Sequence, residues 1–144
     1  KERIDVNING QLNVVRNLSP KLAYRSSIVL FSSIYGLVSP DHRIYPEGFF
    51  KPIDYTVSKA ALIGLGKYLA VYFSERAIRV NCLAMGGIYD GQNDEFVCHY
   101  SKKTPFGRMA DIDEAIGPVL FLLSDLSTYM TGSVLTVDGG FTAW

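Results

Sequence analysis

Tyr55 and Lys59 lie four residues apart in a stretch whose apolar pattern is helical. At that spacing two side chains share one face of a helix, so the phenol and the ammonium can point into one cleft. A tyrosine ordinarily titrates near about 10, and a neighbouring ammonium favours the phenolate form. The pair could therefore exchange a proton with a substrate, although the same spacing also occurs on helix surfaces that have no chemical role.

Hydroxyl side chains follow a short apolar run upstream of this pair. Ser32 and Ser33 come directly after residues 28–31, whose continuous apolar character is typical of a buried strand. In an open parallel sheet, ligands bind beyond the carboxyl ends of the strands. We therefore expect Ser33 to hydrogen-bond a substrate oxygen near Tyr55, whereas Ser32 is equally well explained by a bond to the turn backbone.

The rest of the pattern predicts the elements that position these groups. Helical periodicity extends over residues 4–23, 55–76 and 111–124, with a shorter helix at 94–102. Strands are predicted at 28–31, 78–83 and 134–137, and residues 36–54 form a long ordered loop rich in Pro and Gly. Strands that alternate with helices indicate an α/β fold with a parallel sheet and crossover helices. The first strand would leave an apolar edge unless another segment pairs with it.

Composition excludes several classes of function. The chain has 144 residues, is 48% hydrophobic, and carries 14 basic and 14 acidic residues. It can therefore bury a core and has no charge excess for nucleic acid or a membrane surface. No apolar run reaches the roughly 18 residues that span a bilayer, and the two cysteines lack metal-ligand spacing. We expect a cytoplasmic protein with no metal site, no nucleic-acid partner and no membrane contact.

Six motifs occur in order along the chain. They are Asn7-Ile8-Asn9-Gly10, Ser33-Ile34-Tyr35-Gly36, Tyr55 with Lys59, and the segments 79–88, 105–110 and 129–140. Together they resemble the C-terminal portion of the short-chain dehydrogenase/reductase family, and the resemblance covers essentially the whole chain. It implies a Rossmann-like, doubly wound α/β fold, of which this chain holds three strands with crossover helices.

The resemblance also implies a role for each catalytic residue. Tyr55 is the general acid/base, and Lys59 assists it while bonding the nicotinamide ribose of NAD or NADP. Ser33 orients the substrate oxygen, and Asn7 holds a water in a proton relay through Lys59. From the residues alone, Asn7 is also explained as a helix residue that bonds locally.

Cofactor contacts are implied for Tyr55 and Lys59 and for the turn at Gly86 and Gly87, after which Ile88 offers backbone groups to the nicotinamide carboxamide. Met85 stands where the family usually has proline, which leaves this turn less constrained. The family's glycine-rich phosphate loop is not found in the sequence, and Gly86-Gly87 lacks its spacing. We therefore expect residues 1–144 to be a single, partial Rossmann-type domain without the phosphate-binding half, a fragment of a longer protein.

Residues 39–52 form an insertion between Ser33 and Tyr55, and this inserted loop crosses the substrate side of the cleft. Its basic residues could meet an anionic or polyhydroxylated substrate. The candidate substrate contacts are Tyr35, His42, Arg43 and Lys51. Tyr45 or Phe49 could stack on a ring. The insertion resembles that of family members tied to surface-glycan and flagellin modification, which suggests a sugar or glycan precursor. A rigid lid or subunit contact with no substrate role explains the same residues.

Three hypotheses follow for the whole chain. The first is an NAD(P)-dependent enzyme that interconverts a carbonyl and an alcohol. The second is a truncated, non-catalytic chain that acts through contacts of the helices at 4–23 and 55–76, which correspond to those that build the family's homodimer or homotetramer. The third, an extended sugar-nucleotide epimerase or dehydratase, is disfavoured because little sequence follows Gly140.

Overall fold

The computed structural model describes residues 2–144, which form a parallel sheet covered by helices on both faces. The strands are β1 (Ser27–Phe31), β2 (Arg79–Met85) and β3 (Val134–Val137), and they lie in that order. The register pairs Leu30 with Cys82 and Leu83 with Leu135. The predicted α/β class and all three predicted strands are confirmed, with β2 reaching Met85 rather than ending at residue 83.

The helices lie close to their predicted positions, with short 3₁₀ segments at several ends. The bounds are α1 (Glu2–Ile4), a π-helical segment (Asp5–Gly10), α2 (Gln11–Leu18), α3 (Ile53–Tyr72), α4 (Asp94–Ser101) and α5 (Ile116–Leu123). The 3₁₀ segments are Ser19–Lys21, Ile34–Gly36, His42–Ile44, Ser74–Arg76, Ile112–Ala115 and Asp125–Ser127. Between Gly36 and Ile53 the chain is otherwise irregular, as its Pro and Gly content predicts.

The first predicted helix is not a uniform α-helix. Its middle, Asp5–Gly10, is π-helical, a rare geometry that often occurs at functional sites. Pro20 lies in the closing 3₁₀ turn, after which Leu22 is extended, because proline has no N–H to continue the helical ladder.

α3 lies on one face of the sheet and α5 on the other. Cys82 and Leu83 are neighbours on β2, so they point to opposite faces. On the Cys82 side the core combines strand residues with one side of α3; its buried members are Leu30, Leu69, Ala70, Phe73, Ile78, Val80 and Cys82. On the Leu83 side Leu122 of α5 closes the core. Both faces of the central strand are therefore buried, as its apolar run predicts.

Close approach of α3 to β2 depends on Gly66. A Cβ at that position would lie 2.5 Å from Cys82 Sγ, so a side chain there would push α3 away from the sheet. α3 starts after Pro52, and Tyr55, in its first turn, donates its N–H to Pro52 O at 3.1 Å. The same packing that buries α3 therefore sets where Tyr55 and Lys59 emerge.

β1 is an edge strand within the described part of the chain, and Phe31 at its end is 46% exposed.

Among residues 2–144, no helix combines the length and apolarity needed to cross a membrane. The same residues contain no group of three or more His, Cys, Asp or Glu side chains that could hold a metal ion.

Candidate active site

A cleft of about 480 Å³ opens beyond the carboxyl ends of β1 and β2. Its walls come from the end of β1, the inserted loop, the start of α3, the turn after β2, and α4. Among the residues lining it are Ser33, Tyr35, Tyr45, Lys51, Tyr55, Lys59, Gly86, Gly87, Ile88, Gln92, Phe96 and Tyr100. The volume suits a small-molecule ligand, and the location is the one that parallel-sheet topology predicts.

Tyr55 and Lys59 both face this cleft from α3. Lys59 Nζ donates a hydrogen bond of 2.8 Å to Phe31 O, the last carbonyl of β1. The ammonium lies 5.7 Å from the centre of the Tyr55 ring. Burial lowers the pKa of Lys59 from its usual value, because desolvation disfavours the charged form. The helical spacing therefore brings the two groups together, and the strand end holds the ammonium in place.

The two serines after β1 have different roles. Ser32 donates to the backbone oxygen of Lys59 at 2.8 Å, and so fastens the strand end to α3. Ser33 accepts a hydrogen bond of 3.2 Å from the N–H of Tyr35. Because its oxygen is the acceptor there, its own hydroxyl hydrogen remains able to bond an oxygen in the cleft.

Gly36 explains why a glycine closes the Ser33 motif. A Cβ at this position would lie 2.8 Å from both the backbone carbon and the backbone oxygen of Lys59, and 2.8 Å from Ser32 Oγ. Only a residue without a side chain lets the turn lie this close to α3. The motif thus couples the position of Ser33 to that of Lys59.

Asn7 lies outside the cleft lining, behind the first turns of α3. Its Nδ2 donates to Ser58 Oγ at 3.0 Å, and Ser58 Oγ donates to Tyr55 O at 2.8 Å. Ser58 is fully buried. The π-helical segment therefore connects to the backbone of Tyr55 through a polar chain, whose middle member, Ser58, was not among the predicted site residues.

The turn after β2 is built from glycines that other residues cannot replace. A Cβ on Gly86 would lie 2.9 Å from Asp138 Cα, and one on Gly87 would lie 2.8 Å from Cζ of Tyr100. The N–H of Gly87 donates to the Tyr100 hydroxyl. Tyr100 therefore anchors the turn from α4, a role that the sequence pattern did not suggest.

Ile88 forms a parallel bridge with Ala110. The bridge uses the oxygen of Gly87 and the N–H of Tyr89, at 2.9 and 2.8 Å. Since backbone groups alternate in direction along an extended segment, the N–H of Ile88 faces away from the bridge, as a carboxamide contact requires. The oxygen of Ile88 accepts a bond of 3.0 Å from Gln92 Nε2, so Gln92 would have to share or release that carbonyl.

Tyr35 and Lys51 are the two predicted substrate contacts that the structure brings to the cleft. Tyr35 is buried, and its hydroxyl accepts a hydrogen bond of 3.0 Å from the hydroxyl of Tyr45. Burial raises the pKa of Tyr35 well above its usual range, which keeps this phenol protonated as a hydrogen-bonding group rather than a base.

His42 and Arg43 do not line the cleft. His42 Nδ1 accepts a bond of 3.3 Å from the N–H of Lys51. Arg43 is paired with Asp41 through Nε and Nη2, both at 2.8 Å, and its side chain is 85% exposed. These two residues shape the inserted loop in this structure, whereas Lys51 from the same loop faces the cleft.

The remaining motifs hold the strands and loops together. Arg79 on β2 is buried, with its guanidinium bonded to the end of α5 and the 3₁₀ turn after it; its acceptors are Leu122 O, Ser124 O and Ser127 Oγ. Asn81 bonds Met130 O and the N–H of Ser133. Arg108 forms a bidentate pair with Glu114 at 2.6 and 2.8 Å. These residues position the cleft without facing it.

Comparison with known proteins matches this arrangement to oxidoreductases. A family model described as enoyl-(acyl carrier protein) reductase matches residues 1–142. Post-translational flagellin modification protein A of Campylobacter coli is 38% identical over 116 residues, covering 80% of this chain and 45% of that protein. The NADH-dependent L-xylulose reductase of Ambrosiozyma monospora is 35% identical, covering 100% of this chain and 55% of that protein.

A solved structure shares the fold. The short chain dehydrogenase of Leptospira borgpetersenii with bound NAD⁺ superimposes with a TM-score of 0.86 at 42% identity, covering 95% of this chain and 54% of that one. The chain therefore spans about half the length of the relatives that it matches.

Proposed function

The chain belongs to the short-chain dehydrogenase/reductase family, and we propose that it carries the catalytic part of an NAD(P)-dependent oxidoreductase that interconverts a carbonyl and an alcohol. The observation that supports this most is the convergence of Ser33, Tyr55 and Lys59 on one cleft beside the Gly86-Gly87 turn. A small number of polar groups on a largely apolar cleft is typical of small-molecule binding sites.

The donor groups present fit a nicotinamide cofactor. Lys59 offers an ammonium to ribose hydroxyls, and the N–H of Ile88 offers a donor to a carboxamide oxygen. When bound, NAD(P) supplies or accepts the hydride at the carbon of the substrate. The Gly86-Gly87 turn, held by Tyr100, forms the neighbouring wall.

Proton transfer is the part of the reaction that this chain's own residues perform. The Ser33 hydroxyl donates to the substrate oxygen and holds it toward Tyr55, whose phenol gives a proton to that oxygen in reduction and takes it back in oxidation. Lys59 stabilises the phenolate that results, because its ammonium lies on the same helix face. Asn7 supports the backbone at Tyr55 through its hydrogen bond to Ser58. We also propose that Asn7 holds a water in a proton relay through Lys59.

Replacement of Tyr55 by Phe tests the function in the full-length protein. We expect turnover to fall by about 10²-fold or more, since general acid–base catalysis contributes on that scale, while cofactor affinity measured by nicotinamide fluorescence is unchanged. Tyr24→Phe is the control, because Tyr24 is 70% exposed and does not line the cleft. Retained turnover in Tyr55→Phe would remove the basis of the proposal.

A sugar or glycan precursor is the substrate class that we favour. Support comes from the aromatic side chains that the insertion and α4 bring to the cleft, Tyr45 and Phe96, whose ring centres are 5.1 Å apart, and from the similarity to a flagellin modification protein. A higher kcat/KM for a ketose such as xylulose than for ethyl acetoacetate is the expected result, and the reverse order would count against this class.

The remaining proposals concern the whole protein. We take residues 1–144 to be a partial Rossmann-type domain whose phosphate-binding half lies elsewhere in a longer chain, since no glycine-rich phosphate loop is found here and the relatives are about twice as long.

A homodimer or homotetramer is supported by exposed apolar residues along α2 and α3, among them Val14, Leu18, Tyr68 and Val71, and sedimentation would test it. The cytoplasmic location stays a prediction.

A further inference from the structure

Lys51 is the one charged group of the inserted loop that faces the cleft. The charged residues lining the cleft are Lys51 and Lys59, and the lining described here contains no Asp or Glu. Lys59 is bonded to Phe31 O. Lys51 Nζ instead lies 4.7 Å from the ring centre of Tyr55 and 6.0 Å from that of Tyr35. A second positive charge therefore stands beside the proposed proton donor.

No carboxylate neutralises this ammonium in the part of the chain that the structure describes. Asp41 of the loop is paired with Arg43 at 2.8 Å and with Lys103 at 2.6 Å. Glu47 of the loop is exposed and does not line the cleft, and Asp54 at the start of α3 is paired with Arg3 at 3.3 Å. Burial lowers the pKa of Lys51, and the positive charge of Arg3 lowers it further. A half-buried charge without a counter-charge is costly to maintain, and an anionic ligand would remove that cost.

The backbone around Lys51 is held, so its side chain does not simply follow a loose loop. Its N–H donates to His42 Nδ1 at 3.3 Å, and the His42 ring packs against Phe50 with ring centres 5.0 Å apart. Pro52, directly after it, fixes the entry into α3. The loop therefore presents the ammonium from a defined position, one turn before Tyr55.

We propose that Lys51 is a specificity residue that binds an anionic group, carboxylate or phosphate, of the substrate whose carbonyl reacts at Tyr55. The proposal rests on the proposed function, because Tyr55 marks where the carbonyl lies. The ammonium lies 4.7 Å from the centre of the Tyr55 ring, so a short linker would join the carbonyl and the anion. The described lining contains no acidic residue that would repel that anion.

Two matched substrate pairs test it in the full-length protein. The carboxylate pair is 4-oxopentanoate and its methyl ester, and the phosphate pair is dihydroxyacetone phosphate and dihydroxyacetone. We expect the native protein to favour the anionic member of at least one pair by about tenfold in kcat/KM, as a charge-assisted hydrogen bond gives. Lys51→Met should abolish that preference by raising KM for the anionic member about tenfold relative to KM for the neutral member. Lys51→Arg should retain most of it.

The pair that shows the preference identifies carboxylate or phosphate as the anion. Lys102→Met, at an exposed position on the border of α4, controls for loss of a lysine elsewhere. If Lys51→Met leaves the preference intact while Tyr55→Phe abolishes turnover, the Lys51 proposal fails and the proposed function stands. If Tyr55→Phe stays active, the proposed function fails. Should the native protein turn over none of the four compounds, equal affinities of anionic and neutral members, measured calorimetrically with NADH present, would overturn the proposal.

Discussion

Side chains at the cleft separate into groups that face a ligand and groups that hold backbone. Ser32 and Ser33 are adjacent residues of the same type. The Ser32 hydroxyl donates its hydrogen to the backbone oxygen of Lys59, whereas Ser33 accepts a bond from Tyr35 and its hydrogen remains able to bond a ligand. In the same way Ser58 supports the backbone at Tyr55. Each ligand-facing residue therefore has a neighbour that fixes its position, and loss of the neighbour should weaken the site indirectly.

The buried charge of Lys59 should make the stability of the protein depend on pH, although the same residue is needed for turnover. Burial lowers its pKa below the usual 10.5, so between the folded-state pKa and 10.5 the native protein binds fewer protons than the unfolded chain, and native stability rises with pH across that window. Lys59→Met has no such dependence. We expect the stability of the native protein relative to Lys59→Met to increase from neutral pH toward 10.5 in chemical unfolding, while the variant loses turnover.

Lys102→Met serves as the control for removing a lysine, because Lys102 is exposed. A constant difference in unfolding free energy between the native protein and Lys59→Met across neutral to alkaline pH would contradict the expected burial of the charge. Full turnover by Lys59→Met would contradict its role beside Tyr55.

The direction of loop side chains could not be predicted from the sequence. His42, Arg43 and Lys51 were equivalent candidates on charge alone, but only Lys51 reaches the cleft. Arg43 pairs with Asp41, and His42 Nδ1 accepts a hydrogen bond from the N–H of Lys51. In an irregular segment no period fixes which side chains face inward, so local partners decide it.

Regular elements were predicted because burial on both sheet faces imposes continuous apolar runs. β1 and β3 emerge close to their predicted bounds, and Asp111 with Glu114 forms the capping box before α5. The π-helical segment Asp5–Gly10 was not predicted, since its apolar spacing scarcely differs from that of an α-helix over six residues. Within this segment Asn7 bonds Ser58 of α3, a contact between distant parts of the chain that the local sequence pattern does not reveal.

The junction between the strand end and α3 should fail when Gly36 gains a side chain. In Gly36→Ala the new methyl group would lie 2.8 Å from the Lys59 backbone, so α3 or the Ser33 turn must shift. We expect a loss of about 1–3 kcal/mol in the free energy of unfolding, typical of overpacking, together with reduced turnover because Ser33 and Lys59 move apart. Thermal unfolding and steady-state kinetics measure both effects.

Gly64→Ala provides the matched control within α3. Nothing lies within 4 Å of a Cβ at Gly64, so alanine there should stabilise the helix by up to about 1 kcal/mol through its higher propensity and leave kinetics unchanged. Equal behaviour of the two variants would show that contact at Gly36 does not set the geometry of the site.

The molecule as a whole leaves two kinds of surface uncovered in its described residues. One is the edge of β1, next to the exposed Phe31. The other is the apolar outer side of α2 and α3, where Val71 is 75% exposed. In the proposed longer protein a further strand would pair with the first surface, and in the proposed oligomer a second copy would pack on the other; the relatives are about twice as long as this chain.

Cofactor binding should therefore distinguish residues 1–144 from the full-length protein. The groups that we propose for the nicotinamide end line the cleft, but the described residues contain no glycine-rich loop at a helix start where a pyrophosphate would be held. We expect the full-length protein to bind NADH or NADPH with a dissociation constant on the order of micromolar, and residues 1–144 alone to lose about a thousandfold or more, which corresponds to about 4 kcal/mol. Titration of nicotinamide fluorescence measures both, and circular dichroism establishes that the shorter chain is folded before its affinity is compared. Micromolar binding by the folded 144-residue chain would contradict the proposal that part of the cofactor site lies outside these residues. Weak binding by both forms would favour the hypothesis of a non-catalytic protein.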